Sequence, residues 1–291
     1  MATVGILESL YEALSARASV IAEFTDWLGF PVKVFELGDK DKPPVVLIGG
    51  LEWECLASSE TLLEGVLRYE GDVHVIVIPC VNPSFALGLE PVMQRLLGTT
   101  NTAGFELLKV LAEEGKLISS LESAKVYAYG NLLVVAVENA LSMKDLEGIL
   151  LGVKEYVQED YPVLVVGREG ISLVSYAEGQ LSPAFLSPHL REVLEWIKSL
   201  DPLLVVLLRC CDKEKSIRLP SSASPSLETL AGIAGQHLGG SLAVTRGETL
   251  AEKIGLVDAP VAEICLSKAE EKRDDVIYAV HAILGSAYLL R

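Results

Sequence analysis

The chain is poor in several residue types, and each shortage narrows the reading. Cysteine occurs five times, at positions 55, 80, 210, 211 and 265. That is an odd number without paired spacing, so the cysteines read as buried thiols in a reducing cytosol, with a metal-binding or reactive role as the alternative. Asparagine and glutamine occur four times each, a scarcity compatible with a thermophilic source. Basic residues are outnumbered: 24 Lys and Arg against 40 Asp and Glu leave a formal net charge of −16. Such an acidic chain argues against nucleic acid and anionic membrane as partners. No apolar run reaches the ~18 residues of a membrane span, and Met1–Glu8 lacks the basic start of a signal peptide. The expectation is a cytoplasmic protein whose partner is a small molecule or a peptide. The sequence assigns no oligomeric state.

What is present is a large apolar core. Half of the 291 residues are hydrophobic, enough for a globular domain of substantial size. Apolar residues at 6, 7, 10, 14, 20, 21, 24 and 28 have roughly helical spacing, which predicts a helical segment over residues 1–29. Phe30–Leu37 alternates as a strand does. Val45-Val46-Leu47-Ile48 reads as a strand buried on both faces, stopped by Gly49-Gly50 and followed by acidic Leu51-Glu52-Trp53-Glu54-Cys55. A helix follows from Ser58, then a strand over Val73–Pro79 that runs into Cys80-Val81-Asn82-Pro83.

Further on, the pattern predicts a loop from Ser84 to Thr102 and a helix from Ala103 to about Leu121. Lys125 to Val137 reads as a long strand or a hairpin broken at Gly130-Asn131. A helix capped by Ser142 extends to Gln158, and Val163–Val166 is a strand. Pro188 starts a helix to Leu200, and Leu203–Leu208 is a buried strand ending at Arg209-Cys210-Cys211-Asp212. Lys213–Ser226 reads as an exposed polar loop. Helix Leu227–Leu238, a short strand near Leu242, helix Glu248–Ile254, strand Val261–Leu266 and helix Glu270–Leu290 complete the chain. There is no internal repeat and no low-complexity linker. The fold expected is a single α/β domain over residues 1–291, with a mixed, mostly parallel twisted sheet of about eight strands and helices on both faces. In such sheets the carboxyl ends of the strands open onto the ligand crevice, which puts Glu52, Trp53, Glu54 and Cys55 there.

Four segments, in order, resemble the zinc carboxypeptidases and their desuccinylase and aspartoacylase relatives. In that family one strand ends in Gly-Gly-x-His-x-x-Glu, where Gly49-Gly50-Leu51-Glu52-Trp53-Glu54-Cys55 stands here. The next ends in Pro-x-x-Asn-Pro, matched by Pro79-Cys80-Val81-Asn82-Pro83. A proline-led helix then leads to a strand ending in a histidine ligand. Here Pro188, Pro202 and Leu203–Leu208 follow that layout, and Arg209 holds the histidine slot. A Gly-x-x-x-Leu segment and a proline approach precede the strand of the catalytic glutamate, resembled by Gly247–Leu250 with its shorter spacing, by Asp258-Ala259-Pro260 and by Glu263. The resemblance implies the family's fold over roughly residues 30–290.

The departures fall on the chemistry. Glu52 replaces the first histidine ligand, Cys55 the ligand glutamate and Arg209 the last histidine. None of His74, His189, His237 and His281 falls in a ligand slot. The family's Asn-Arg pair for a substrate carboxylate is not matched, since Asn101-Thr102 lacks the arginine. Arg95 corresponds to the arginine that polarises the scissile carbonyl. Asn82 is expected to fix its turn through side-chain to backbone bonds, with a ligand contact as the alternative.

Glu263 matches the catalytic-type glutamate, but a carboxylate alone lacks the Lewis acid that activates water. Two functions fit this pattern. In the first, a carboxypeptidase-like domain has lost zinc hydrolysis, binds no cofactor and acts as a binding or regulatory module. Its charged cleft is formed by Glu52, Arg209 and Glu263, with Asn82 and Arg95 as further candidate ligand-binding residues. In the second, it is a metal-dependent amide hydrolase with zinc held by Glu52, Cys55 and Cys210.

Overall fold

The computed structural model describes residues 2–26, 28–52, 55–88, 93–95, 113, 115–129, 132–137, 141–156, 161–167, 170–177, 180–182, 188–211, 215–238, 244–256, 259–267 and 273–290. In chain order the elements begin with α1 (Ala2–Ser15), β1 (Ser19–Thr25), β2 (Pro31–Leu37), β3 (Val45–Ile48), α2 (Leu56–Arg68), β4 (Val75–Ile78) and α3 (Pro83–Ala86). They continue with β5 (Lys116–Ser120), β6 (Ala124–Tyr129), β7 (Leu132–Val137), α4 (Met143–Gly152), β8 (Tyr161–Gly167), β9 (Gly170–Ala177), β10 (Gln180–Ser182) and α5 (Pro188–Ser199). The last are β11 (Leu204–Cys211), β12 (Ser216–Leu219), α6 (Pro225–Gly235), β13 (Val244–Arg246), α7 (Leu250–Lys253), β14 (Val261–Ser267) and α8 (Asp274–Ser286). By contact density the chain divides into two units, Met1–Gly88 with Glu192–Arg291, and Leu89–Arg191.

The first unit is built on an eight-stranded mixed sheet in the order β1-β2-β4-β3-β11-β14-β12-β13. Its centre is parallel: β4, β3, β11 and β14 pair in that sense. The strand β3 is buried along its whole length, as its uninterrupted β-branched and leucine content requires. On one face Val45, Leu47, Val206, Leu208, Ala262 and Ile264 pack under helices α1, α2, α6 and α8. Helix α5 buries Val193, Leu194 and Ile197, spaced one turn apart on one stripe. The eight strands and flanking helices are the expected architecture for this part of the chain.

The second unit carries a separate six-stranded sheet, β10-β9-β8-β7-β6-β5, which the sequence reading did not anticipate. Its pairings are antiparallel except for β7 with β8. The parallel pair is connected through α4, whose Leu146, Ile149 and Leu150 cover Val126, Val135 and Val163. Ser142 caps α4 in a reciprocal box with Asp145. The stretch 125–137 is a hairpin, one of the two forms expected.

Several boundary expectations are corrected. The helical segment expected over 1–29 stops at Ser15, and Ser19–Thr25 is a strand paired with β2. Backbone amides of Arg17 and Ala18 close the helix on the Leu14 carbonyl. Beyond them the β-branched Val20-Ile21 pair finds a partner strand, and pairing overrides the helical spacing. The helix expected to reach Leu121 gives way to β5 at Lys116; its earlier part lies outside the described residues. The loop over 213–226 contains β12, which pairs with β14. Among the described residues no helix is long and apolar enough to cross a membrane.

Candidate functional site

Parallel pairing aligns the carboxyl ends of β3, β11 and β14 side by side. The chain leaves β3 through Gly49 and Gly50. Gly49 donates to the Ile78 carbonyl, and its own carbonyl accepts from Val81. Gly50 has φ +62°, and a Cβ there would stand 2.6 Å from both Cys80 Sγ and Ser59 Oγ. Only glycine fits this turn without strain. The Gly50 amide donates to Ser58 Oγ at 2.9 Å, and that hydroxyl donates to the Cys55 carbonyl at 2.8 Å. The turn thus delivers Glu52 over the end of β11.

There Glu52 meets Arg209. Nε and Nη2 of Arg209 both donate to Glu52 Oε1, at 3.1 and 2.7 Å, and the Cys210 amide donates to Oε2 at 2.8 Å. Arg209 Nη1 donates to Glu263 Oε2 at 2.8 Å. Glu263 comes from β14, where its neighbours Ala262 and Ile264 are fully buried and it is itself at 0% exposure. A charge at that depth demands partners. It has two, because Oε1 also accepts the Ala251 amide at 2.7 Å, an unpaired N–H of the first turn of α7. Burial by itself would lower the Arg209 pKa, but the two carboxylates outweigh it and hold the guanidinium above its ordinary value. The result is an ion triad, carboxylate–guanidinium–carboxylate, with net charge −1.

Two disulfides flank the triad. Cys55, the residue preceding α2, is bonded to Cys210, and Cys211 to Cys265; the Cα separations are 5.8 and 5.4 Å. Both lie in the ordinary disulfide range. The reading of all five cysteines as buried thiols is corrected for these four; Cys80 alone among them is free, and it is buried. Their separations along the chain, 155 and 54 residues, form no spacing pattern, so the pairing was invisible before the fold. Disulfides persist in oxidising compartments and in some intracellular proteins of hyperthermophiles, so the cysteines no longer argue for a reducing cytosol.

Of the other expected site residues in the first unit, Asn82 does not join the triad. Asn82 is wholly buried behind the Gly50 turn. The turn is held by its backbone, not by its side chain as expected: its amide donates to the Gly50 carbonyl, and its carbonyl accepts from Phe85 and Ala86. Its side-chain amide has no hydrogen-bond partner among the described residues. Arg95 is an exposed residue of the second unit. Trp53 and Glu54 lie outside the described residues. Sequence reasoning missed the Cys210 and Ala251 amides, which no side-chain motif signals, and also Asp26. That buried carboxylate accepts from the amides of Leu28, Phe30 and Ser84. An isolated aspartate after a strand carries no signal that it will be enclosed.

The residues at the triad do not fit a zinc ion. Both Glu52 oxygens are engaged, and Arg209 brings a permanent positive charge that repels a metal. The Cys55 and Cys210 sulfurs are bonded to each other and so are not thiolates. Of the histidines, His74 is held by the Lys42 carbonyl and Glu36, and His281 by the Gly65 carbonyl. Among the described residues no group of three or more His, Cys, Asp or Glu is placed to hold a metal.

No protein-family model matches the chain, and no curated protein sequence matches it. Solved structures do. A metallo-carboxypeptidase from Pseudomonas aeruginosa, in complex with (2-guanidinoethylmercapto)succinic acid, aligns at 11% identity and TM-score 0.50, covering 98% of this chain and 68% of that one. Bovine thrombin-activatable fibrinolysis inhibitor, in complex with tick carboxypeptidase inhibitor, aligns at 12% identity and TM-score 0.49, covering 98% and 95%. At these identities the likeness speaks to fold alone. The chain has the mixed α/β fold of the metallo-carboxypeptidases.

Proposed function

We propose that this protein is a carboxypeptidase-like module that has given up metal-dependent hydrolysis and uses its charged cleft to bind a small molecule or a peptide. The observation that carries the reading is Arg209 seated between Glu52 and Glu263. A guanidinium supplies to two facing carboxylates the positive charge that a metal would otherwise bring, and it needs no loading. It also consumes the lone pairs that a metal or an activated water would need. Glu263 in particular is a poor general base in this setting, because one oxygen is held by Arg209 and the other by the Ala251 amide.

The competing reading is an amide hydrolase with zinc held by Glu52, Cys55 and Cys210. It requires the Cys55–Cys210 bond to be open and Glu52 to be released from Arg209. The two readings separate in one measurement. Protein isolated without reductant, and the same protein after reduction with a phosphine, is titrated with zinc alone and assayed on C-terminally blocked dipeptides. The proposal expects no stoichiometric zinc and no turnover. Turnover abolished by chelator and restored by zinc would overturn it.

A further inference from the structure

The two arms of the triad each run beside a disulfide. Glu52–Arg209 is shadowed by Cys55–Cys210, three residues and one residue further along the two segments. Arg209–Glu263 is shadowed by Cys211–Cys265, two residues further along each strand. The two disulfides join different kinds of partner. Cys211 and Cys265 belong to neighbouring strands that are already hydrogen-bonded in register from Val205–Val261 to Cys211–Ser267. Cys55 belongs to the connection between β3 and α2, outside the strand pairing of β3 with β11, which ends at Ile48–Leu207. Beyond that point the described contacts holding the connection to β11 are Glu52 on Arg209, Glu52 on the Cys210 amide, and the disulfide itself.

We infer that Cys55–Cys210 is a redox latch that holds Glu52 on Arg209, whereas Cys211–Cys265 is a staple between strands that stay paired without it. The inference does not depend on whether the cleft binds or hydrolyses. The chemistry is thiol–disulfide exchange with a small dithiol. Its thiolate attacks one sulfur of the pair and forms a mixed disulfide. Its second thiol then resolves that bond, leaving a cyclic disulfide and passing two electrons and two protons to Cys55 and Cys210. Attack comes from the Cys210 side, since that residue is 9% exposed and Cys55 0%. With the covalent tie gone, Glu52 is held on β11, among the described residues, only by its bonds to Arg209 and the Cys210 amide, while the Gly50 turn and α2 on either side keep their own contacts, and Glu52 samples positions off the guanidinium.

Two backbone amides report the arms separately. The Cys210 N–H is protected by Glu52 Oε2, and the Ala251 N–H by Glu263 Oε1. The test is amide hydrogen exchange on the full chain, before and after dithiothreitol, with thiols counted by alkylation in denaturant. One alkylatable thiol, Cys80, is expected before reduction and five after. Exchange at residue 210 is expected to rise at least tenfold on reduction while residue 251 is unchanged, and reoxidation by air or a disulfide oxidant restores protection. The double substitution C55S/C210S should show the fast rate at residue 210 without reductant. C211S/C265S should keep the slow rate until dithiothreitol is added. Five thiols in protein never exposed to reductant would overturn the inference. So would an unchanged rate at residue 210 after full reduction, or loss of the far-UV circular dichroism signal on reduction, which would make the bond a plain structural staple. Should a variant fail to fold, the reduction of the wild-type chain decides alone.

Discussion

Arg209 places Nε and Nη2 on a single oxygen of Glu52, at 3.1 and 2.7 Å, and leaves the second oxygen to the Cys210 amide. The carboxylate is therefore bound by charge on one side and by backbone on the other. That arrangement sets the energetics of the triad. Removing the arginine strands two carboxylates, one of them fully buried. Removing Glu52 strands a guanidinium that still has Glu263.

Arg209→Met should accordingly destabilise the protein by about 3–5 kcal/mol, the usual cost of breaking a buried ion pair by deleting one partner. The double substitution Glu52→Gln with Arg209→Met should cost less than Arg209→Met alone. Urea unfolding of the four proteins in the cycle measures the coupling. Strictly additive losses would show that the two residues do not depend on each other.

Gly50→Ala should be among the most damaging small substitutions in the chain. The residue sits at φ +62°, and a methyl would collide with Cys80 and Ser59. A loss of about 2 kcal/mol or more is expected from backbone strain and overpacking together. Gly247→Ala, where an added Cβ meets nothing within 4 Å, is the control and should shift stability by less than about 0.5 kcal/mol. Thermal melts of the two variants make the comparison.

Cys80 should resist alkylation in the folded protein well above the pH at which free thiols react. Burial pushes its pKa up to about 12, and a neutral thiol is a poor nucleophile. Iodoacetamide at pH 9 should label it only after denaturation. Rapid labelling under native conditions would show that the turn behind Gly50 opens readily.

Acid should weaken the tie between β2 and β4. Glu36 accepts hydrogen bonds from Lys40 and His74, and these, Lys40 first, hold its carboxyl below the ordinary value of 4.5. A depressed carboxylate contributes stability that is fully present above its unfolded pKa and is lost as pH falls through the folded one. Glu36→Gln should therefore cost stability at pH 7 and progressively less in acid, as pH falls below the ordinary carboxylate value of 4.5. Lys40 is largely exposed, so the difference is on the order of 0.5–1 kcal/mol. Urea midpoints at pH 7 and in acid, compared between wild type and variant, read it directly.

Local chemistry was enough to place much of this protein. Four buried apolar runs, at Val45–Ile48, Val75–Ile78, Leu204–Leu208 and Val261–Leu266, have no stable home except the interior strands of a covered sheet, and the central parallel strands are built from them. Gly49-Gly50 announced the turn because no other residue tolerates its backbone. Arg209 and Glu263 were legible because a charge that closes or interrupts an apolar run has to be satisfied by something. Tertiary structure decided the rest, for identifiable reasons. Ser19–Thr25 became a strand because β2 offered it a partner, which spacing along one segment cannot register. The second sheet escaped notice because its strands at 125–137 and 163–166 read as members of a single sheet, and which strands pair is settled across the chain rather than within each run; β5, β9 and β10 went unread. The disulfides join residues 155 and 54 positions apart, and a cysteine's partner is a matter of distance in space, not of its neighbours in sequence. The triad's backbone donors, the amides of Cys210 and Ala251, belong to every residue type but proline, so only the folded chain could say which amides face the carboxylates.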